Sequence, residues 1–224
     1  MPTNTNTPPN PHPPSTLLTT LLTLTESTII PLTTTGVSSG SKLFGASILS
    51  RDTLSPITTA TNNEALSPLL HGEINCIQQF FTTIPPSSRP SPSSCIFFAT
   101  HEPCSLCLSG ITWAGFNEFY YLFTYEDSRD AFNIPYDIDI LEEVFKVRGE
   151  NEGEGEFKRR GLYNKNNKFF KSKSLGELIE EVEDGKEREY FRGEVKRLKG
   201  LYDALSETYQ KGKAEGVGSE SVWK

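Results

Sequence analysis

A histidine, a glutamate and two cysteines are the residues of this chain whose types and spacing can do chemistry. His71-Gly72-Glu73 stands where one helix is expected to start, and Pro103-Cys104-Ser105-Leu106-Cys107 where another does. Cys104 and Cys107, at i and i+3, put both sulfurs on one side of a first helical turn. His71 can supply a third donor from the neighbouring helix. Two thiolates and an imidazole suit Zn2+ by softness and geometry, and three ligands leave one tetrahedral position for water. Water held there has its pKa lowered from about 15.7 to about 7. Glu73, two residues after a ligand, is placed to hold the proton of that water. The positive ends of two helices converge on the same point, which favours thiolate and hydroxide. The alternative is a zinc that only holds the fold, with His101 or Cys76 closing the fourth position.

These groups need a scaffold of alternating strands and helices. Leu17, Leu18, Leu21, Leu22 and Leu24 fall on helical spacing with Ser15 as a candidate cap. No Lys or Arg lies on the polar face, so this is a core-packing helix rather than a membrane-surface one. Residues 43–49 and 56–60 read as strands. A helix follows over 70–81, then a buried strand over 94–100, in which Cys95 is a small hydrophobe. The cysteine-bearing helix runs from 103 to 114, with Gly115 at its C-terminal end. The aromatics of the strand over 119–124 belong to the core. A further helix is predicted over 137–147 and a long one over 188–211. The apolar stripe of the long helix, including Phe191, Leu198 and Tyr202, can dock on the domain or on a partner.

Strands alternating with helices define an α/β layered domain. The expected organisation is a disordered head (1–15), a zinc domain (16–148), a flexible acidic and Gly-rich loop (149–160), a mainly helical extension (161–212) and a flexible tail (213–224). The 224 residues carry a net charge of −7, and an acidic surface counts against a dedicated nucleic-acid binder. No apolar run approaches the roughly 20 residues that cross a bilayer. The first basic residue is Lys42, which leaves no signal-like or transit-like pattern, so a cytoplasmic location is expected. There, closely spaced cysteines serve metal or redox chemistry rather than disulfides.

The order H-x-E then P-C-x-x-C is the signature of zinc-dependent base deaminases. With HGEINCI, THEPCSLCLSGITWAGF and FYYLFTYEDSRDAF, the sequence resembles the cytidine/deoxycytidylate deaminase superfamily, and is similar to its guanine deaminase and tRNA adenosine deaminase branch. The resemblance covers residues 43–137. It implies a three-layer αβα sandwich on a mixed five-stranded sheet, Zn2+ on His71, Cys104 and Cys107, and Glu73 as proton shuttle. It also implies an upstream asparagine against the substrate, Asn62 or else Asn63. Base-reading acidic residues are expected after the fourth strand, among Asp127, Asp130 and Asp137, with Trp113 as a pocket aromatic. For the three aspartates, helix capping or turn chemistry is the alternative.

The expected activity is hydrolytic deamination of a free nucleobase or nucleoside (guanine, cytosine or a related amino-heterocycle), releasing ammonia. Family habit and the C-terminal stripe suggest a homodimer or larger homo-oligomer. One alternative is an editing deaminase acting on a flipped or single-stranded base. It rests on the cations Lys158, Arg159, Arg160, Lys165, Lys168, Lys171 and Lys173, interleaved with Tyr163, Phe169 and Phe170. The other is a non-catalytic partner subunit that keeps zinc as a fold element, which would have no need of Glu73.

Overall fold

A computed structural model describes residues 10–221. Residues 1–9, part of the head expected to be disordered, and 222–224, part of the tail expected to be flexible, lie outside the described residues. The leucine-rich segment forms α1 (Pro14–Leu24), a π-helical stretch over Thr25–Ile29, and α2 (Ile30–Ser38). Pro13, not Ser15, takes the cap position, because Pro14 enters the helix with a fixed φ and no N–H to satisfy.

The two strands and the helix that follow are β1 (Gly45–Ser50), β2 (Pro56–Thr61) and α3 (Gly72–Thr83). Next come β3 (Cys95–His101), α4 (Ser105–Ala114) and β4 (Glu118–Phe123). Gly115 ends α4 in the left-handed conformation, at φ 86°. Then follow α5 (Tyr125–Phe132), α6 (Tyr136–Ile140), a wide turn over Leu141–Phe145, and α7 (Glu154–Arg159). The last elements are β5 (Lys171–Ser174), α8 (Leu175–Ile179) and α9 (Gly185–Ala214), which Asp184 caps by accepting from the Lys186 and Glu187 N–H groups.

The five strands lie in the order β2-β1-β3-β4-β5. β1 is antiparallel to β2 and β3, while β3, β4 and β5 run parallel. Side chains alternate between the two faces, and both faces are covered. Phe97, Ala99, Phe119 and Tyr121 meet Cys76 and Phe80 of α3 and Leu108 and Ile111 of α4. Ile96, Phe98, Tyr120 and Leu122 meet Leu17, Leu18 and Leu21 of α1 and residues of α8 and α9. Burial on both sides explains why β3 and β4 read as nearly continuous apolar runs. The result is an αβα sandwich on a mixed sheet.

The sheet takes its fifth strand from the segment expected to be a helical extension. β5 has the sequence KSKS, whose serines face in while Lys171 stays exposed on the sheet edge, a pattern with no hydrophobic signal. The run expected to be an acidic loop contains α7. Most of the stripe on α9 packs within the chain: Phe191, Leu198, Tyr202, Leu205 and Tyr209 are buried against α1, α2 and α8, while Tyr190 and Leu201 stay exposed. Among the described residues no helix is long and apolar enough to cross a membrane.

Candidate metal centre and active site

β2 and β3 each deliver the chain to a helix whose cap position carries a metal donor. His71 caps α3 and Cys104 caps α4, both with extended backbone and neither side chain capping its own helix. The first free N–H of α3 is satisfied from outside instead: Asn62 Oδ1 accepts from the Gly72 N–H at 2.6 Å. The two side chains are thereby left to point at one another. His71 Nδ1 lies 3.4 Å from Cys104 Sγ and 3.7 Å from Cys107 Sγ. A tetrahedral zinc with bonds of about 2.3 Å to sulfur and about 2.0 Å to nitrogen separates such donors by about 3.5 Å. The set fits Zn2+ in softness, number and spacing.

Gly72 is required here. A Cβ on it would stand 2.9 Å from Gly45 Cα and 3.0 Å from the Phe44 carbonyl oxygen, so α3 starts in backbone contact with β1.

Among the described residues, His71, Cys104 and Cys107 form the one cluster of three His, Cys, Asp or Glu donors. The two groups considered as a fourth, closing ligand are elsewhere. Cys76 is in the α3 core, its thiol turned to the Thr58 carbonyl at 3.4 Å and pushed far up by burial. His101 stacks on Phe123, with Phe44, Phe132 and Tyr202 around it and its Nδ1 2.9 Å from Thr100 Oγ1. Three protein ligands are what an open, catalytic zinc site has.

The electrostatics favour metal binding. The Cys107 thiol and the His71 ring hold the Cys104 thiol well below its usual value. Burial alone would lower His71, but the hydrogen bond and charge of Cys104 outweigh it and raise the imidazole to about 9. Zinc displaces that proton when it binds. Glu73 is only 5% exposed, with its carboxyl beside Cys107. Burial, then the charge of Cys104, raises it to about 7.

A cavity of about 320 Å³ opens on this centre. Phe44, Leu69, Leu106, Ile134 and Ile140 form its apolar walls, and Lys42, His71, Cys104, Tyr136, Asp137 and Ser221 its polar lining. Asp137 reaches the cavity from the start of α6, and burial, then the Cys104 charge, raises it to about 7. Asn62 Nδ2 is buried without a partner among the described residues.

Asn62 does not line the cavity, and the remaining expected substrate contacts are not brought to it either. Asp127 completes the capping box of α5 with Thr124 and pairs with Lys199 at 2.6 Å. Asp130 is exposed and paired with Arg129. Trp113 sits near the far end of α4, 92% exposed, beside a shallow cleft shared with Tyr163, Asn164 and Phe170. Sequence reasoning missed Lys42, Glu64 and Ser221. The Lys42 ammonium donates to Glu64 at 2.7 Å and to Ser221 Oγ at 2.9 Å. Lys42 and Glu64 sit on loops without periodicity, and nothing local in the sequence signals their pairing.

An αβα sandwich that gathers one histidine and two cysteines at converging helix N-termini, beside a buried glutamate, defines a class of zinc-centred α/β domains. Residues 32–123 match the model of the cytidine and deoxycytidylate deaminase zinc-binding region. Among solved structures, guanine deaminase from Bacillus subtilis is 26% identical, over 56% of this chain and 79% of that one, with a TM-score of 0.45. Guanine deaminase from Nitrosomonas europaea is 16% identical, over 86% and 93%, with a TM-score of 0.41. A tRNA:A34 deaminase that edits the wobble position is 17% identical, over 66% and 98%, with a TM-score of 0.37. Among curated proteins, none matches the chain.

Proposed function

We propose that this protein is a zinc-dependent hydrolytic deaminase of a free nucleobase or nucleoside. The observation that carries this reading is the buried Glu73 carboxyl beside three zinc donors, two of which, His71 and Cys104, line a cavity of small-ligand size. A zinc that only held the fold would need no such group, and burying a carboxyl without function is costly.

When bound, zinc supplies a water of lowered pKa and charge stabilisation at the reacting carbon. The rest falls to the chain. Glu73 takes the proton of the attacking water and delivers it to the ring nitrogen next to the amine-bearing carbon. A second transfer through Glu73 protonates the departing amine, so a C–O bond forms, the C–N bond breaks and ammonia leaves. A carboxyl tuned near neutral pH suits both directions of transfer. Asp137 accepts from or donates to the edge of the base, Asn62 holds the start of α3 through the Gly72 N–H, and the apolar walls exclude water.

The cavity is at the lower end of the roughly 300–1,000 Å³ common for small-molecule sites, which supports a base or nucleoside. The cations that would favour a polynucleotide are in part neutralised: Lys158 pairs with Glu154, Arg160 with Glu152, Lys165 with Glu102 and Glu177, and Lys173 with Glu181. The four free thiols are in keeping with a reducing cytoplasm.

Ammonia release should be measured from the zinc-loaded protein over free bases, nucleosides, nucleotides and single-stranded oligonucleotides. Turnover of one base or nucleoside, with KM raised by Asp137→Asn, is the expected result. Turnover confined to oligonucleotides would overturn the small-substrate reading.

A further inference from the structure

Two residues before Cys104, the chain buries a second carboxylate that takes no part in the proton transfers. Glu102 is 5% exposed and lies outside the cluster of metal donors. Its partners come from two places. The Tyr125 N–H donates to Oε2 at 3.2 Å, and the Tyr163 hydroxyl donates to Oε1 at 2.9 Å. Lys165 Nζ lies 3.8 Å from Oε1. The backbone is held as well: the Glu102 N–H donates to the Phe123 carbonyl at 2.8 Å, and the Tyr125 hydroxyl to the Pro103 carbonyl at 2.5 Å.

The turn at Glu102-Pro103-Cys104 leads from β3 into α4 and includes a proline, which has no N–H to anchor it. These contacts therefore fix the backbone that aims the Cys104 sulfur. Tyr163 and Lys165 lie in the segment between α7 and β5, well beyond residues 32–123. The Ser172 N–H, donating to the Lys165 carbonyl at 2.9 Å, ties that segment to the sheet edge.

We propose that Glu102 is a positioning residue for the zinc ligand Cys104, and that Tyr163, supplied by the C-terminal part of the chain, holds Glu102 in place. The carboxylate reads two donors at once, one on α5 and one on the C-terminal segment. It joins the loop that carries the ligand to the segment between α7 and β5. Outer partners of metal ligands typically change metal affinity by about 10–100-fold. This inference rests on the zinc centre and not on which substrate is turned over.

The test uses the full chain and two isosteric changes. Tyr163→Phe removes only the hydroxyl and keeps the ring against Tyr125 and Phe170. Glu102→Gln presents an NH2 group to a donor. Zinc affinity is measured by chelator competition, and the cobalt-substituted proteins are compared by visible absorption, which reports thiolate geometry. The expected result is an affinity loss of about tenfold in Tyr163→Phe and about 10–100-fold in Glu102→Gln, with an altered cobalt spectrum. The double variant should be no weaker than Glu102→Gln alone, because both changes break one linkage. Wild-type affinity and spectrum in Tyr163→Phe, or additive losses in the double variant, would overturn the proposal while leaving the zinc centre standing. A wild-type chain that takes up neither metal would overturn both.

Discussion

Replacing Gly72 by alanine tests how tightly the scaffold sets the metal centre. The added Cβ would lie 2.9 Å from Gly45 Cα, 3.0 Å from the Phe44 oxygen and 3.2 Å from the Gly45 carbonyl carbon. Ordinary van der Waals contact begins at 3.4 Å, so the shortest approach falls short by 3.4 − 2.9 = 0.5 Å. All three atoms are backbone at the start of β1 and cannot rotate away. The N-terminus of α3 must retreat by a comparable distance and take His71 and Glu73 with it. Zinc–ligand distances tolerate about 0.2 Å, so the shift weakens the site. Overpacking of this kind costs about 1–3 kcal/mol, which for a chain of this size lowers Tm by about 2–12 °C. Turnover should fall about tenfold, since a displacement near 1 Å costs about a hundredfold. Gly193→Ala is the control: apart from its chain neighbours and its own helix backbone, nothing lies within 4 Å of its Cβ position on α9, and the change should be neutral or stabilising by up to about 1 kcal/mol. Scanning calorimetry and zinc content after dialysis read the outcome. A Gly72→Ala protein with wild-type Tm and zinc content would refute the reasoning.

Two further outcomes follow from buried charges. Burial, then the nearby charge of Lys199, keeps His101 neutral and its pKa well below 6.5. Below about pH 6.5 the unfolded chain therefore takes up a proton that the folded chain refuses, and stability falls as pH drops, by up to about 1.4 kcal/mol per unit. His101→Gln should flatten the acid limb of a urea-unfolding series between pH 5 and 8, and an unchanged slope would contradict this. Lys42 and Glu64 form an ion pair with side chains 6% and 1% exposed. Lys42→Met strands the carboxylate and should cost about 3–5 kcal/mol, with partial recovery in Lys42→Met/Glu64→Gln. A double variant less stable than the single one would show that Glu64 does not depend on Lys42.

The zinc donors were legible because each motif sits where a strand hands over to a helix, and the offsets i, i+2 and i, i+3 survive folding unchanged. β3 and β4 were legible for a related reason: burial on both faces leaves unbroken apolar runs. β5 was not, since an edge strand needs only its inward serines and the lysines conceal it. α5 is short and polar, and its start is marked only by the Thr124 and Asp127 capping box. That box also accounts for Asp127 by local chemistry. The Trp113 offset from Cys107 was readable, but not that its ring turns to solvent rather than toward the donors. Lys42, Glu64 and Ser221 meet across 22 and 179 positions, and Glu102 meets Tyr163 across 61. Such pairings follow from tertiary packing alone.

The central claim is that Glu73 moves protons at a zinc centre it does not hold together. The most direct measurement is ammonia release by Glu73→Ala beside the wild-type chain, with zinc per chain determined on the same samples. Loss of turnover by a factor of at least about a hundred, with zinc retained at one per chain in both, is the predicted result. A variant that releases ammonia at the wild-type rate would contradict the account, as would one that is inactive only because it no longer binds zinc.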